Sequence, residues 1–224
     1  MIVAIMGKSA SGKNEVCKCL ETACSSTMVF FDCPTKVKPF VSYTTRAPRE
    51  GEVDGVDYHF ISTERFLAME RAGKFVECVQ YGSNHYGTAK EDVIEAANSR
   101  HVYTAVVTPE GAEQFKSIVS EDDILTVYVD APDSIRAKRY IDREGAAFSA
   151  KSLEIFARRM AEDSKVFAGI ENEADVVIDN SSNNGTGLFS DLYEKVEREV
   201  LGRILDRLVE KDFDEYADFF KIEK

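Results

Sequence analysis

The sequence predicts an α/β protein: a central parallel sheet flanked by helices, interrupted by one inserted subdomain. Three observations carry this expectation. An apolar run over residues 2–6 leads into the segment Gly7-Lys8-Ser9-Ala10-Ser11-Gly12-Lys13, after which residues 13–23 read as a helix. Apolar, β-branched-rich runs at 101–107, 124–129 and 174–178 are separated by helical stretches, the pattern of parallel strands buried on both faces. Residues 41–91 break that alternation.

Within the break, Asp54-Gly55 lies between alternating residues and predicts a hairpin turn, and Ser62 with Thr63 opens a short helix that ends at Gly73. The spacing from Thr88 to Glu91 predicts a capping box at the start of the helix that returns the chain to the core. Residues 132–166 read as two helices joined by the turn-like Arg143-Glu144-Gly145-Ala146. They concentrate Arg136, Lys138, Arg139, Arg143, Arg158 and Arg159, which fits either a solvated charged helix pair or a lid that closes on phosphates. From Leu188, apolar residues recur every fourth position through Leu192, Val196, Val200, Ile204 and Leu208, an amphipathic helix laid on the core. The acidic-aromatic tail beyond it, with Phe213, Tyr216, Phe219 and Phe220, reads as a docking segment or a homodimer contact. The expected organisation is core (1–40), insertion (41–91), core (92–131), lid (132–158), core (159–208) and tail (209–224).

The 224 residues, 44% hydrophobic and 30% charged, suffice for one well-cored domain. With 28 basic against 40 acidic residues the net charge is -12, which opposes binding to nucleic acid or acidic membranes. An anionic small molecule would need a locally basic pocket. The five cysteines are odd in number and lack C-x-x-C spacing, so free thiols in a reducing, cytoplasmic setting are expected. The five apolar residues before Gly7 are too few for a signal-peptide core, and no run of about 18 apolar residues reads as a membrane span.

Gly7 to Lys13 has the spacing of a phosphate-binding loop. Glycines let backbone N–H groups curl around phosphate oxygens, the helix N-terminus adds positive potential, and Lys13 supplies a cation. Gly7, Ser9, Ser11, Gly12, Lys13 and Asn14 are therefore the candidate nucleotide-binding residues. The last is atypical: where the pattern has a Ser or Thr hydroxyl for Mg²⁺, Asn14 offers an amide oxygen that reaches a metal through water.

A second concentration of chemistry, VSYTTRAPREGEVDGVDYHF at 41–60, places Arg46 and Arg49 three residues apart on an irregular segment, where two planar forks can converge on one phosphate. Here the chain resembles the guanylate kinase family, whose monophosphate-binding signature T-T-R-x-P-R-x-G-E-x-x-G-x-D-Y-x-F stands complete from Thr44 to Phe60. The resemblance extends over Phe75-Val76-Glu77 and Tyr86-Gly87-Thr88 and through Arg139, Arg143 and Arg159, covering roughly residues 1–185. It implies the P-loop nucleoside-monophosphate-kinase fold and transfer of the ATP γ-phosphoryl group to GMP or dGMP with Mg²⁺. It further implies that Arg46, Arg49, Tyr58 and Tyr86 hold the GMP phosphate, that Ser42, Glu77 and Thr88 read guanine, and that Lys13 acts with lid arginines Arg139, Arg143 and Arg159 on the moving phosphoryl group. The second departure is Thr108-Pro109-Glu110-Gly111, where the family has D-x-Q-G; Glu110 in a shifted register is the candidate substitute. A non-catalytic nucleotide- or protein-binding domain of the same shape is the alternative, and another nucleoside monophosphate kinase or a sugar-phosphate kinase is a third.

Overall fold

Five consecutive apolar residues leave no polar face, so β1 (Ile2–Met6) can only be an interior strand, and it is buried at every position. The computed structural model describes residues 1–30, 35–49, 51–182 and 190–211. After the glycine-bounded loop come α1 (Lys13–Phe30) and β2 (Val37–Pro39). A second group follows: β3 (Tyr43–Thr44), β4 (His59–Phe60), α2 (Thr63–Arg71), β5 (Phe75–Tyr81) and β6 (Asn84–Ala89). The chain then returns through α3 (Lys90–Asn98), β7 (Val102–Val106), α4 (Pro109–Lys116) and β8 (Ile124–Asp130). It continues with α5 (Asp133–Glu144), α6 (Ala150–Val166), β9 (Val176–Asp179), α7 (Asp191–Lys195) and α8 (Gly202–Lys211).

The main sheet has the order β2-β7-β1-β8-β9 with every pairing parallel. Strand alternation splits its core in two. Val3 and Ile5 pack with Val16, Leu20, Val196 and Ile204 on one face, whereas Ile2, Ala4 and Met6 meet Val93, Phe115 and Phe167 on the other. Both clusters hold the C-terminal ends of β1 and β8 rigid, and the loops leaving those ends carry the site.

Strict four-residue spacing of apolar side chains drifts by about 40° per repeat on an ideal α-helix. The chain absorbs the drift with a wide π turn, Val196–Leu201, between α7 and α8. Val196, Val200 and Ile204 are consequently all fully buried, and Leu208 nearly so. Leu188, Cys33 and residues 212–224 of the acidic-aromatic tail lie outside the described residues; its first three residues continue α8.

The smaller sheet, order β4-β3-β6-β5, differs from expectation in one respect. Asp54-Gly55 closes no hairpin: β3 and β4 pair in parallel, and the intervening segment is held by Gly55 N–H donating to Tyr58 O (2.9 Å) and by Phe60 N–H donating to Asp54 Oδ1 (2.8 Å). The Asp side chain is used as a loop brace rather than a turn former. The short helix α2 is capped by Ser62 and followed by Gly73 at φ 64°, as the residues predict. At the start of α3, however, the N-cap is Ala89, whose methyl side chain cannot accept a hydrogen bond, and the Thr88 hydroxyl is bonded to Glu77 instead.

Among the described residues, Cys17, Cys19 and Cys78 are free thiols, no cluster of three or more His, Cys, Asp or Glu could hold a metal, and no helix is long and apolar enough to cross a membrane.

Candidate active site

The loop between β1 and α1 is shaped by close approaches that exclude side chains at its two glycines. A Cβ on Gly7 would lie 2.7 Å from the Val129 carbonyl oxygen, and one on Gly12, at φ 99°, would lie 2.2 Å from Asn180 Nδ2. Asn180 follows β9 and donates Nδ2–H to Ser11 O (2.8 Å), fastening the loop to the sheet. Ala10, between the glycines, sits at φ 61°, where a Cβ is strained. Ala10→Gly is expected to stabilise the protein by about 0.5–1 kcal/mol, the strain relieved less the extra unfolded-state entropy; chemical denaturation would measure it. Ser11 Oγ is buried without a hydrogen-bond partner, a polar atom within the loop itself.

Lys13 Nζ donates to Gly7 O (2.6 Å) and Lys8 O (3.2 Å), folding the cation back over the loop. Burial lowers its pKa to about 8, opposed by the negative charge of Asp163. Asn14, one residue on, is exposed and lines a cavity of 490 Å³ that adjoins Ser42 and Tyr58.

A cleft of 470 Å³ has Gly7, Ser9 and Lys13 on one wall and Ser42, Tyr58, Glu77, Tyr86 and Thr88 on the opposite one. On that second wall Thr88 Oγ1–H donates to Glu77 Oε1 (3.1 Å), and the Ser42 and Thr88 hydroxyls are 3.2 Å apart. Burial raises the pKa of Glu77; the Thr88 bond opposes the rise and the nearby Glu110 charge adds to it. The Glu77 carboxylate lies so close to α4 that a Cβ on Gly111 would be 2.1 Å from Oε2. The departure at 108–111 thus has a local explanation: Thr108 caps α4 by accepting from Gly111 N–H (3.0 Å), and Gly111 leaves room for the glutamate. Glu110, the candidate substitute, is exposed and lines a separate cavity of 150 Å³.

Arg46 is held by a bidentate pair with Glu52 (2.8 and 2.9 Å) and lies over the rings of Tyr58 and Phe60, 5.4 and 5.7 Å from their centroids. The guanidinium holds the Glu52 carboxyl down at about 2. Glu52 also accepts from Arg49 N–H (2.7 Å), so one carboxylate orients the segment that bears both arginines; Arg49 itself is exposed. The Tyr58 and Tyr86 rings meet edge to face at 6.0 Å.

Of the helical arginines, Arg139 reaches the loop directly. It donates Nη1–H to Ser11 O (3.0 Å) and Nη2–H to Asn180 O (3.0 Å) and Ser182 O (3.1 Å). Arg143 is exposed over the Tyr140 ring, and its charge contributes to lowering the Lys13 pKa. Arg159 is half-buried on α6, one turn before Asp163. Asn180 and Asp163 at the loop escaped sequence reading, and Arg136, read there only as one of the basic residues of a solvated helix pair or lid, is fully buried and donates Nε–H to Ser9 O (2.8 Å). Sequence separations of 127 to 169 residues leave no local signal for such bonds.

The sequence profile described as Guanylate kinase matches residues 3–199. A guanylate kinase of Bifidobacterium longum is 40% identical over 144 residues, 63% of this chain and 71% of its own length. Those of Shewanella denitrificans (35% over 155 residues) and Clostridioides difficile (32% over 157 residues) are each covered over 71% of their length, by 69% and 70% of this chain. A phosphate loop facing a Ser-Glu-Thr pocket across one cleft, in a chain matched over nearly its whole described length, is accounted for by one descent: the chain belongs to the guanylate kinase family.

Proposed function

We propose that the protein transfers the γ-phosphoryl group of ATP to GMP or dGMP, giving ADP and GDP or dGDP. The observation that carries this reading is the single cleft with the loop and Lys13 on one wall and Glu77, Thr88 and Ser42 on the other. A carboxylate accepts together from guanine N1–H and the exocyclic amine, a paired donor edge that adenine lacks. Thr88 steadies that carboxylate from one side. Arg46 spends its fork on Glu52, so its remaining N–H groups, with exposed Arg49 and the Tyr58 and Tyr86 hydroxyls, are the donors for the acceptor's phosphate.

The acceptor is already an anion, so no general base is needed, and the protein's part is alignment and charge neutralisation. Lys13 leaves two loop carbonyls for phosphate oxygens, Arg139 keeps the loop in shape, and Arg143 and Arg159 close over the donor. Asn14 is the group on the loop helix that would hold Mg²⁺, through water, and the ion would supply neutralisation of phosphate charge. Asn14→Ser is expected to lower the Mg²⁺ concentration giving half-maximal rate several-fold, read from a Mg²⁺ titration; an unchanged midpoint would remove Asn14 from the metal site.

Lys13 predicts a pH dependence. The free lysine, with pKa about 8, is charged below that pH and neutral above it, and phosphates bind the charged form. ATP affinity is therefore expected to hold steady below pH 8 and to fall above it by up to about tenfold per pH unit, measured calorimetrically.

The direct test is ADP release from ATP and Mg²⁺ with GMP, dGMP, AMP, CMP and UMP as separate acceptors. Turnover confined to GMP or dGMP is expected. Silence with all five, alongside GMP binding, would favour the non-catalytic binding domain, to which exposed Asn14 and the capping role of Thr108 lend their only structural support.

A further inference from the structure

Arg136 lies on α5 with its side chain wholly inaccessible to solvent, a costly place for a charge. All three of its nitrogen positions are engaged. Nε–H donates to Ser9 O (2.8 Å), Nη1–H to Asp133 Oδ1 (2.6 Å) and Nη2–H to Asp163 Oδ2 (2.6 Å). Asp133 is 64% exposed, so the counter-charge that shares the interior with Arg136 is Asp163, at 14%.

Asp163 does more than neutralise the guanidinium. Its Oδ2 also accepts from Ser9 N–H (2.7 Å), an amide of the phosphate loop, and Oδ1 lies 3.4 Å from Ser9 Oγ. The carboxylate lines the same cleft as Lys13, and its charge is felt there. One oxygen gripped by a loop amide and a guanidinium has the donor set of a bound phosphate oxygen. A carboxylate is an anomaly in a loop built to attract polyanions, because it repels the ligand and occupies a donor the ligand would use.

We propose that Arg136 is a phosphate-binding residue, and that Asp163 is its resident counter-ion, which the phosphates of the donor nucleotide displace from Ser9 and Arg136. The inference rests on the assignment of the ATP phosphates to this loop. It explains why a fully buried arginine is placed against the loop, and why its inner partner comes from a different helix than its own. Since Asp163 is on α6 and Arg136 on α5, exchange of carboxylate for phosphate releases α6 from the loop while α5 stays attached through Ser9 O. Occupancy of the loop is thereby coupled to the position of the helix that carries Arg159.

The test is calorimetric titration of MgATP into the wild type, Asp163→Asn, and the double variant Arg136→Met with Asp163→Ala, each checked by circular dichroism. Asp163→Asn removes the competing charge and keeps an acceptor for Ser9, and it is expected to bind MgATP about tenfold more tightly than the wild type. The double variant removes both charges together, leaves no buried ion unpaired, and therefore folds even if the single variant does not. It is expected to bind MgATP about a hundredfold more weakly than Asp163→Asn, and so about tenfold more weakly than the wild type, for want of the guanidinium. Unchanged or weaker binding by folded Asp163→Asn would overturn the counter-ion, and undiminished affinity in the double variant would overturn Arg136 as a phosphate ligand. Failure of the wild type to bind MgATP would overturn the loop assignment itself, and this inference with it.

Discussion

Glu77→Gln is expected to lower kcat/KM for GMP by about 10³-fold or more while raising the melting temperature of the nucleotide-free protein. The loss follows from hydrogen-bond polarity. Guanine presents two donors on one edge; a carboxylate accepts both, whereas Gln accepts one and turns its own N–H₂ against the other, leaving buried donors unpaired. The gain follows from burial. Because the folded pKa of Glu77 is raised above 4.5, its ionised form destabilises the fold, with no effect well below pH 4.5 and the full cost once the pH exceeds the folded value. Gln carries no such cost, so the stabilisation should be present at neutral pH and vanish in acid. Steady-state kinetics with GMP, together with thermal melts at pH 4 and pH 7.5, would separate the two effects. A variant that lost activity and stability together at pH 7.5 would show that Glu77 is a structural acid and not a reader of the base.

Lys13→Ala is expected to reduce kcat by at least about 10³-fold with the GMP dissociation constant unchanged. The ammonium is a cation on the cleft wall able to follow charge as it moves between phosphates, and mutational losses of such preorganised donors are of this order. Among the described residues it hydrogen-bonds to Gly7 O and Lys8 O alone, and it already bears a desolvation cost, so its removal should barely change the melting temperature. The residues proposed to contact GMP, Glu77, Thr88 and Tyr86, lie on the opposite wall of the cleft. Single-turnover kinetics and a GMP titration on the same sample test this; loss of GMP binding in a folded Lys13→Ala protein would contradict two separable subsites.

The phosphate loop was legible because the residues that define its motif are close in the chain, although the groups that fasten it are not. Gly7, Gly12 and Lys13 are spaced by loop geometry, and the strand before and the helix after are written in adjacent residues. The GMP-side signature was legible for the same reason, and its internal pair Arg46–Glu52 spans only six residues. The hairpin expected at Asp54-Gly55 failed because Asp54 has two uses, turn former and side-chain acceptor, and only the neighbouring backbone selects between them. The capping box at Thr88 failed likewise: its hydroxyl binds Glu77 on the adjacent strand instead of the helix ahead of it.

Sequence by itself determined the α/β class, the parallel core, the phosphate loop and the family, since these rest on periodicity and on motifs whose residues are close in the chain. Tertiary structure alone decided which groups converge on the loop. It made Arg136 a buried loop ligand and Arg158, on the next helix, an exposed surface charge, and it brought Asn180 and Asp163 to within hydrogen-bond distance of Ser11 and Ser9. The physical reason is that an arginine's chemistry is the same at every position, whereas its desolvation and its partners are set by the packing of helices far apart in the chain.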